Sequence, residues 1–235
     1  TGLVSMVHRE SGRRIDSLFE LIDEADVGDL YTPAPRPRDV AVEFRGARRV
    51  HRGPLRGEIA LRYRIIESGK RGQPDVEVHV HLVLDADAPF LRLAIHGENR
   101  RENHRVRIAI RSDVANAAVW ADAAFGPVER KPIVVGQLEA AVEQPPPTAP
   151  LHRYVSLFGD AIGCTLFSDG LAEYEARPDG AVVVTLLRAV GELSRGDLPE
   201  RPGNAGWPTP TPGAQCIGPF AAELAVLLHG PRRLA

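Results

Sequence analysis

Apolar and polar residues alternate along much of this chain. Ile59, Leu61, Tyr63 and Ile65 are interleaved with Ala60, Arg62 and Arg64, the period of a strand that buries one face. Val76, Val78, Val80, Leu82 and Leu84 repeat the pattern against Glu77, His79, His81 and Val83. Leu91, Leu93 and Ile95 do so against Arg92 and His96, and Val106, Ile108 and Ile110 against Arg107 and Arg111. One greasy and one charged face per strand predicts antiparallel sheets with a solvated side. Turn chemistry punctuates the runs at 67–72, at Asp85–Pro89 and at Pro178-Asp179-Gly180, the last a hairpin signal because Asp-Gly tolerates positive φ. Helix evidence is thin: Ile15–Glu24 is long enough for two turns, but its continuation through Asp26, Gly28 and Asp29 reads as strand and turn. The expectation is an all-β chain, a large antiparallel β-sandwich.

The alternation fails once, over a long stretch. Val182, Val183, Val184, Leu186 and Leu187 form a strand-like run, after which about two dozen residues lose the period, and Pro202, Pro208, Pro210 and Pro212 obstruct ladder pairing. A loop of that length inside a domain is functional or disordered. Leu193, Leu198, Trp207 and Ile217 offer it apolar anchors, which favours function. Gln144–Pro150, with three successive prolines, reads as a stiff connector inside one domain spanning 1–235.

Composition narrows the classes. Hydrophobic residues make up 43% and the formal charge is −2, so nothing electrostatic favours nucleic acid. No run of about 18 apolar residues predicts a spanning helix, and no signal-peptide pattern opens the chain. The expectation is a cytoplasmic protein without a membrane partner. Cys164 reads as a small buried hydrophobe in a strand. The chain starts at Thr1 without an initiator methionine, which reads as a fragment of a longer protein.

Several segments carry a resemblance: GLAEYE, TLLRAVGELSRGDL, RPGNAG and TPGAQC within 166–216, SGRRIDSLFELIDEADVGDLYTPAP at 11–35, PFLRLAIHGENRRENHRVR at 89–107 and FGPVER at 125–130. In this order they resemble the C-terminal β-domain of glycoside hydrolase family 38 alpha-mannosidases, over nearly the whole chain. The resemblance implies a supersandwich of galactose-mutarotase-like type. It also implies retaining hydrolysis of alpha-mannosides by a complete enzyme, whose zinc and catalytic carboxylates sit in an N-terminal barrel absent from this sequence. This piece would be non-catalytic, supplying scaffold and one wall of the sugar cleft, with Arg201, Pro202 and Gly203 matching the part that approaches the sugar. Trp207 departs from the family, where a proline or small residue is expected.

Read on their own terms, Arg188, Arg195, Asp197, Arg201, Asn204 and Trp207 are groups that suit sugars: forked donors, an acceptor, an amide and a flat apolar face. The substrate-binding expectation settles on Asp197, Arg201, Gly203, Asn204 and Trp207. The competing reading is that the arginines and Asp197 staple the loop to the sheet. Glu173 and Glu175 are not a catalytic pair, because two acids on one strand face cannot flank a sugar ring. His79 and His81 have a zinc-like spacing, but no third ligand is evident, and they read as a solvated face. Asp23, Asp26 and Asp29 lack EF-hand spacing and read as a turn with side-chain-to-backbone bonds, with Tyr31 packing beside it. Two other classes remain open. One is a stand-alone carbohydrate-binding sandwich, with Trp120 and Trp207 as its exposed aromatics. The other is a mutarotase-type isomerase, needing His104 and Glu98 on one concave face.

Overall fold

The structure is a computed structural model and describes residues 2–67, 75–131, 133 and 142–231. In chain order its strands are β1 (Met6–His8), β2 (Arg13–Ile15), β3 (Phe19–Asp26), β4 (Pro35–Arg36), β5 (Val40–Arg52), β6 (Arg56–Glu67), β7 (Val76–Asp85), β8 (Phe90–Asn99) and β9 (His104–Arg111). There follow β10 (Ala118–Ala121), β11 (Val128–Arg130), β12 (Ala149–Pro150), β13 (Tyr154–Phe158), β14 (Gly163–Asp169), β15 (Glu173–Ala176), β16 (Ala181–Ala189) and β17 (Gly218–His229). The one helical element among the described residues is a 3-10 turn at Pro212–Gln215, and no helix is long and apolar enough to cross a membrane.

Two sheets make the sandwich that the alternation predicts. The larger runs β11-β10-β13-β14-β17-β8-β7-β6-β5 and the smaller β12-β15-β16-β9-β3-β4, with β1 and β2 as a separate hairpin. Their facing sides bury Leu61, Tyr63, Ile65, Val78 and Val80 from the larger sheet against Leu21, Val106, Ile108, Val182 and Val184 from the smaller. Phe19 meets Tyr63 edge-on, with centroids 5.9 Å apart. Cys164 is buried in β14, and burial pushes its thiol up to about 12, whereas Cys216 is exposed; both are free. The Pro178-Asp179-Gly180 hairpin joins β15 to β16. Gly180 takes φ +85°, and the Asp179 carboxylate accepts the Ala181 amide at 3.1 Å. The turn expected at 67–72 lies, beyond Glu67, outside the described residues.

Two expectations fail in instructive ways. Ile59 and Leu84, near the start of β6 and the end of β7, belong to apolar runs yet are 44% and 53% exposed. The face of β9 expected to be solvated is buried: Arg105 and Arg107 are 2% and 1% exposed. β9 lies inside the smaller sheet, and acids on β3 and β15 close over its arginines. Arg105 pairs with Glu24 at 2.7 Å, and Arg107 with Glu175 at 2.7 Å.

Candidate functional site

The loop from Val190 to Thr211 is held by a turn that lies far from it in sequence. β3 ends at Asp26, and the chain reverses to reach β4. Asp26 Oδ1 accepts the amides of Gly28 and Ala34 at 2.9 and 3.1 Å. Asp29 Oδ1 accepts those of Tyr31 and Thr32 at 2.9 and 2.8 Å. Short carboxylates that bond backbone two and three residues on are what build such a turn. Gly28 is needed for space, since a Cβ there would sit 2.2 Å from the Thr32 carbonyl oxygen. The turn expected from Asp26 and Asp29 is present. Asp23 is elsewhere, facing the core and bonded to Arg101 and to His104 Nδ1.

The remaining carboxylate oxygens face the loop and its arginines. Arg188 Nε donates to Asp26 Oδ2 at 2.6 Å, and its Nη2 to the Asp29 carbonyl at 2.7 Å. Arg201 forks onto Asp29 at 3.3 and 2.7 Å and also donates to Thr32 Oγ1 at 2.6 Å and the Arg195 carbonyl at 2.7 Å. The Arg195 amide adds a bond to Asp29 Oδ2 at 2.7 Å. Thr32 Oγ1 donates onward to Glu143 at 2.6 Å, which ties the connector into the same network. Burial alone would raise the Asp29 carboxyl, but Arg201 and the three amides outweigh it and hold it below the usual carboxylate range. Asp26 behaves likewise: burial is opposed and exceeded by Arg188 and the Ala34 and Gly28 amides.

One irregularity makes this possible. In β16, Val182 and Val184 face the core, so an unbroken alternation would also turn Arg188 inwards. The register against β9 shifts between Thr185 and Leu187, and this bulge puts Arg188 on the outer face, opposite Asp26. Bulges re-aim side chains in this way. Beside Arg188 opens a cavity of about 600 Å³, lined in part by Pro146, Thr148, Leu171, Glu173 and Thr185.

The loop itself closes by short-range bonds. Leu193 N donates to Thr209 O at 2.8 Å and Thr211 N to Gly191 O at 2.7 Å, while the buried Ser194 hydroxyl accepts the Ala205 and Gly206 amides at 3.0 and 3.1 Å. Of the four apolar anchors expected, Leu198 is buried, but Trp207 is 83% and Ile217 58% exposed. Buried ion pairs carry most of the anchoring instead.

The five sequence-designated residues therefore divide. Arg201 is 5% exposed, and its guanidinium is engaged on every side within the protein, so the staple describes its geometry better than a sugar contact does. Gly203, Asn204 and Trp207 are exposed on the loop's outer side. Asp197 is exposed too, held by Arg195 at 2.8 and 2.9 Å. Tyr31, expected to pack, is 55% exposed, and its hydroxyl lies 3.0 Å from where a Cβ on Gly206 would be. Thr32 and Glu143 were not singled out; a lone hydroxyl or carboxylate carries no sequence signal for a partner more than a hundred residues away.

The other constellations fall into place. Glu175 pairs with Arg107, and Glu173 accepts Thr185 Oγ1 at 2.6 Å. His104 is fully buried, with Nε2 2.9 Å from Asn99 Oδ1, and so lines no open concavity.

The architecture is a two-sheet antiparallel β-sandwich. No family model matches the chain. Over 155 residues, 66% of its length, it is 31% identical to a protein of Halalkalibacterium halodurans named "Putative mannosylglycerate hydrolase". Its fold matches, over 97% of the chain, an alpha-mannosidase from Enterococcus faecalis V583 at a TM-score of 0.79 and 20% identity. A protein in glycosyl hydrolase family 38 from Enterococcus faecalis matches at a TM-score of 0.76 and 19% identity. The expected resemblance to family 38 is thus met in fold, and the similarity in sequence is to the protein of Halalkalibacterium halodurans. The chain spans 16% of the length of the first relative and 27% of the second.

Proposed function

We propose that this chain is the non-catalytic C-terminal β-domain of an alpha-mannosidase that hydrolyses alpha-mannosides with retention. Its part is to supply scaffold and one wall of the sugar cleft. The observation that carries this reading is the division within the loop. A buried carboxylate–guanidinium staple fixes its inner side, while Tyr31, Asp197, Asn204 and Trp207 stand exposed on its outer side. Rigid presentation of polar groups and a flat aromatic ring is what a cleft wall requires. In this reading Arg201 positions the loop, and Asp197, Asn204 and Trp207 meet sugar or the neighbouring catalytic part. The zinc implied by the resemblance belongs to that part. Among the described residues no three His, Cys, Asp or Glu side chains converge on a metal position.

The test compares the 235-residue chain with the longer protein that this reading requires. Hydrolysis of an aryl alpha-mannoside is expected from the longer protein and not from this chain; zinc-dependent turnover by the chain alone overturns the division of labour. In the longer protein, Trp207→Ala is expected to raise KM without moving the melting midpoint. Titration of short mannosides into the isolated chain addresses the stand-alone binding module: strong unassisted binding favours that module, and binding near the detection limit favours a half-site.

A further inference from the structure

The outer face of the larger sheet carries a donor block that no run of sequence displays. Val76, Val78 and Val80 of β7 face the core, so Glu77, His79 and His81 face outwards. The β7–β8 register sets Glu77 directly opposite Glu98 and His79 directly opposite His96. Cross-strand partners lie about 5 Å apart and same-face neighbours about 7 Å apart. Two imidazoles and two carboxylates therefore occupy the corners of one small rectangle. The His79 and His96 rings lie parallel, 4.8 Å apart and 11° from coplanar, and His81 approaches His96 at 5.3 Å. Glu77, His79, His96 and Glu98 line one cleft of about 480 Å³ with Pro219 and Phe220.

Like charges directly across a ladder are unfavourable, and the protein does little to relieve this pair. Arg64, the neighbour of Glu77 on β6, is bonded to Asp75. Arg62, beside His79, reaches no partner among the described residues. His81 is occupied by Glu58, with Nδ1 2.8 Å from the carboxylate.

We propose that this block is a surface site for a divalent transition metal of the zinc or nickel class, with His79 and His96 as its nitrogen ligands and Glu98 or Glu77 completing it. Mixed imidazole and carboxylate donors select such ions over calcium or magnesium, which take oxygen shells. The site's donors lie side by side rather than converged. Ligation therefore requires the His96 ring to turn out of the stack toward the carboxylates. The site is independent of the cleft-wall reading and lies outside the loop described above.

The test is calorimetric titration of zinc and nickel into the 235-residue chain, paired with the visible absorption of bound cobalt as a reporter of nitrogen ligation. One equivalent is expected to bind. His79→Gln and His96→Gln are each expected to weaken it by about tenfold or more. His152→Gln, whose ring pairs with Asp122 several strands away, is expected to leave it unchanged. Circular dichroism verifies that each variant folds. Absence of saturable binding overturns the proposal, and so does affinity that is indifferent to both His79→Gln and His96→Gln.

Discussion

The loop staple and the outer face of the larger sheet use the same chemistry to different effect. On the sheet face, Arg56 holds Asp85 at 2.6 Å with Arg92 on its other side, all three side chains substantially exposed. In the staple, Arg201 and Asp29 meet at 2.7 Å with side-chain exposures of 6% and 0%. The distances hardly differ, but water does. An exposed pair exchanges one good solvent for another and contributes little. A buried pair has given up its hydration, so removing one partner strands the other. Burial, rather than geometry, decides which ion pairs hold this protein's candidate site.

That contrast sets the order of expected effects. The largest is Asp29→Ala, which leaves Arg201 buried without its carboxylate and frees three amides; a loss of about 3–5 kcal/mol in urea unfolding is expected. A loss below about 1 kcal/mol, the range of exposed pairs, places the staple with the surface bridges and removes the contrast.

Acid comes next. Asp26 and Asp29 both titrate below their ordinary value of 3.8 in the folded protein. Their contribution is therefore complete above that value and is lost as pH falls beneath it toward the depressed folded values. Hydrogen exchange at the amides of Gly28, Tyr31, Thr32 and Arg195, all donors to these carboxylates, is expected to lose protection below about pH 4, ahead of the β9 and β16 amides. Simultaneous loss in all of them sinks the idea that the staple opens as a unit.

The smallest effect is expected from Arg56→Ala, whose melting midpoint should match the parent at moderate salt, because that pair is solvated and screened. A clear drop in midpoint shows that solvation is not the deciding variable.

Much of the sandwich was legible because alternation is a local property. Val76, Val78 and Val80 report a buried face without reference to any other strand, and Pro178-Asp179-Gly180 reports its own turn. The side-chain turn at Asp26 and Asp29 was legible for the same reason, since its bonds reach only a few residues along the chain. The fate of Arg201 was not. Its partner Asp29 lies 172 residues away, and the choice between stapling and sugar contact depends on which carboxylate the fold delivers. Trp207 was misread as an anchor because aromaticity alone does not say which side of a loop a ring takes. His96 went unnoticed as a companion to His79 because cross-strand register is a property of two strands together.

By itself, then, the amino-acid order determined the layered β architecture and the place where regular structure yields to a long loop, since both follow from periodicity and turn chemistry acting over a few residues. Tertiary structure alone decided which charges were buried against which, that the bulge after Thr185 turned Arg188 outward, and that His79 faced His96. Those outcomes depend on strand register and on the exclusion of water, and both are set only when distant segments meet.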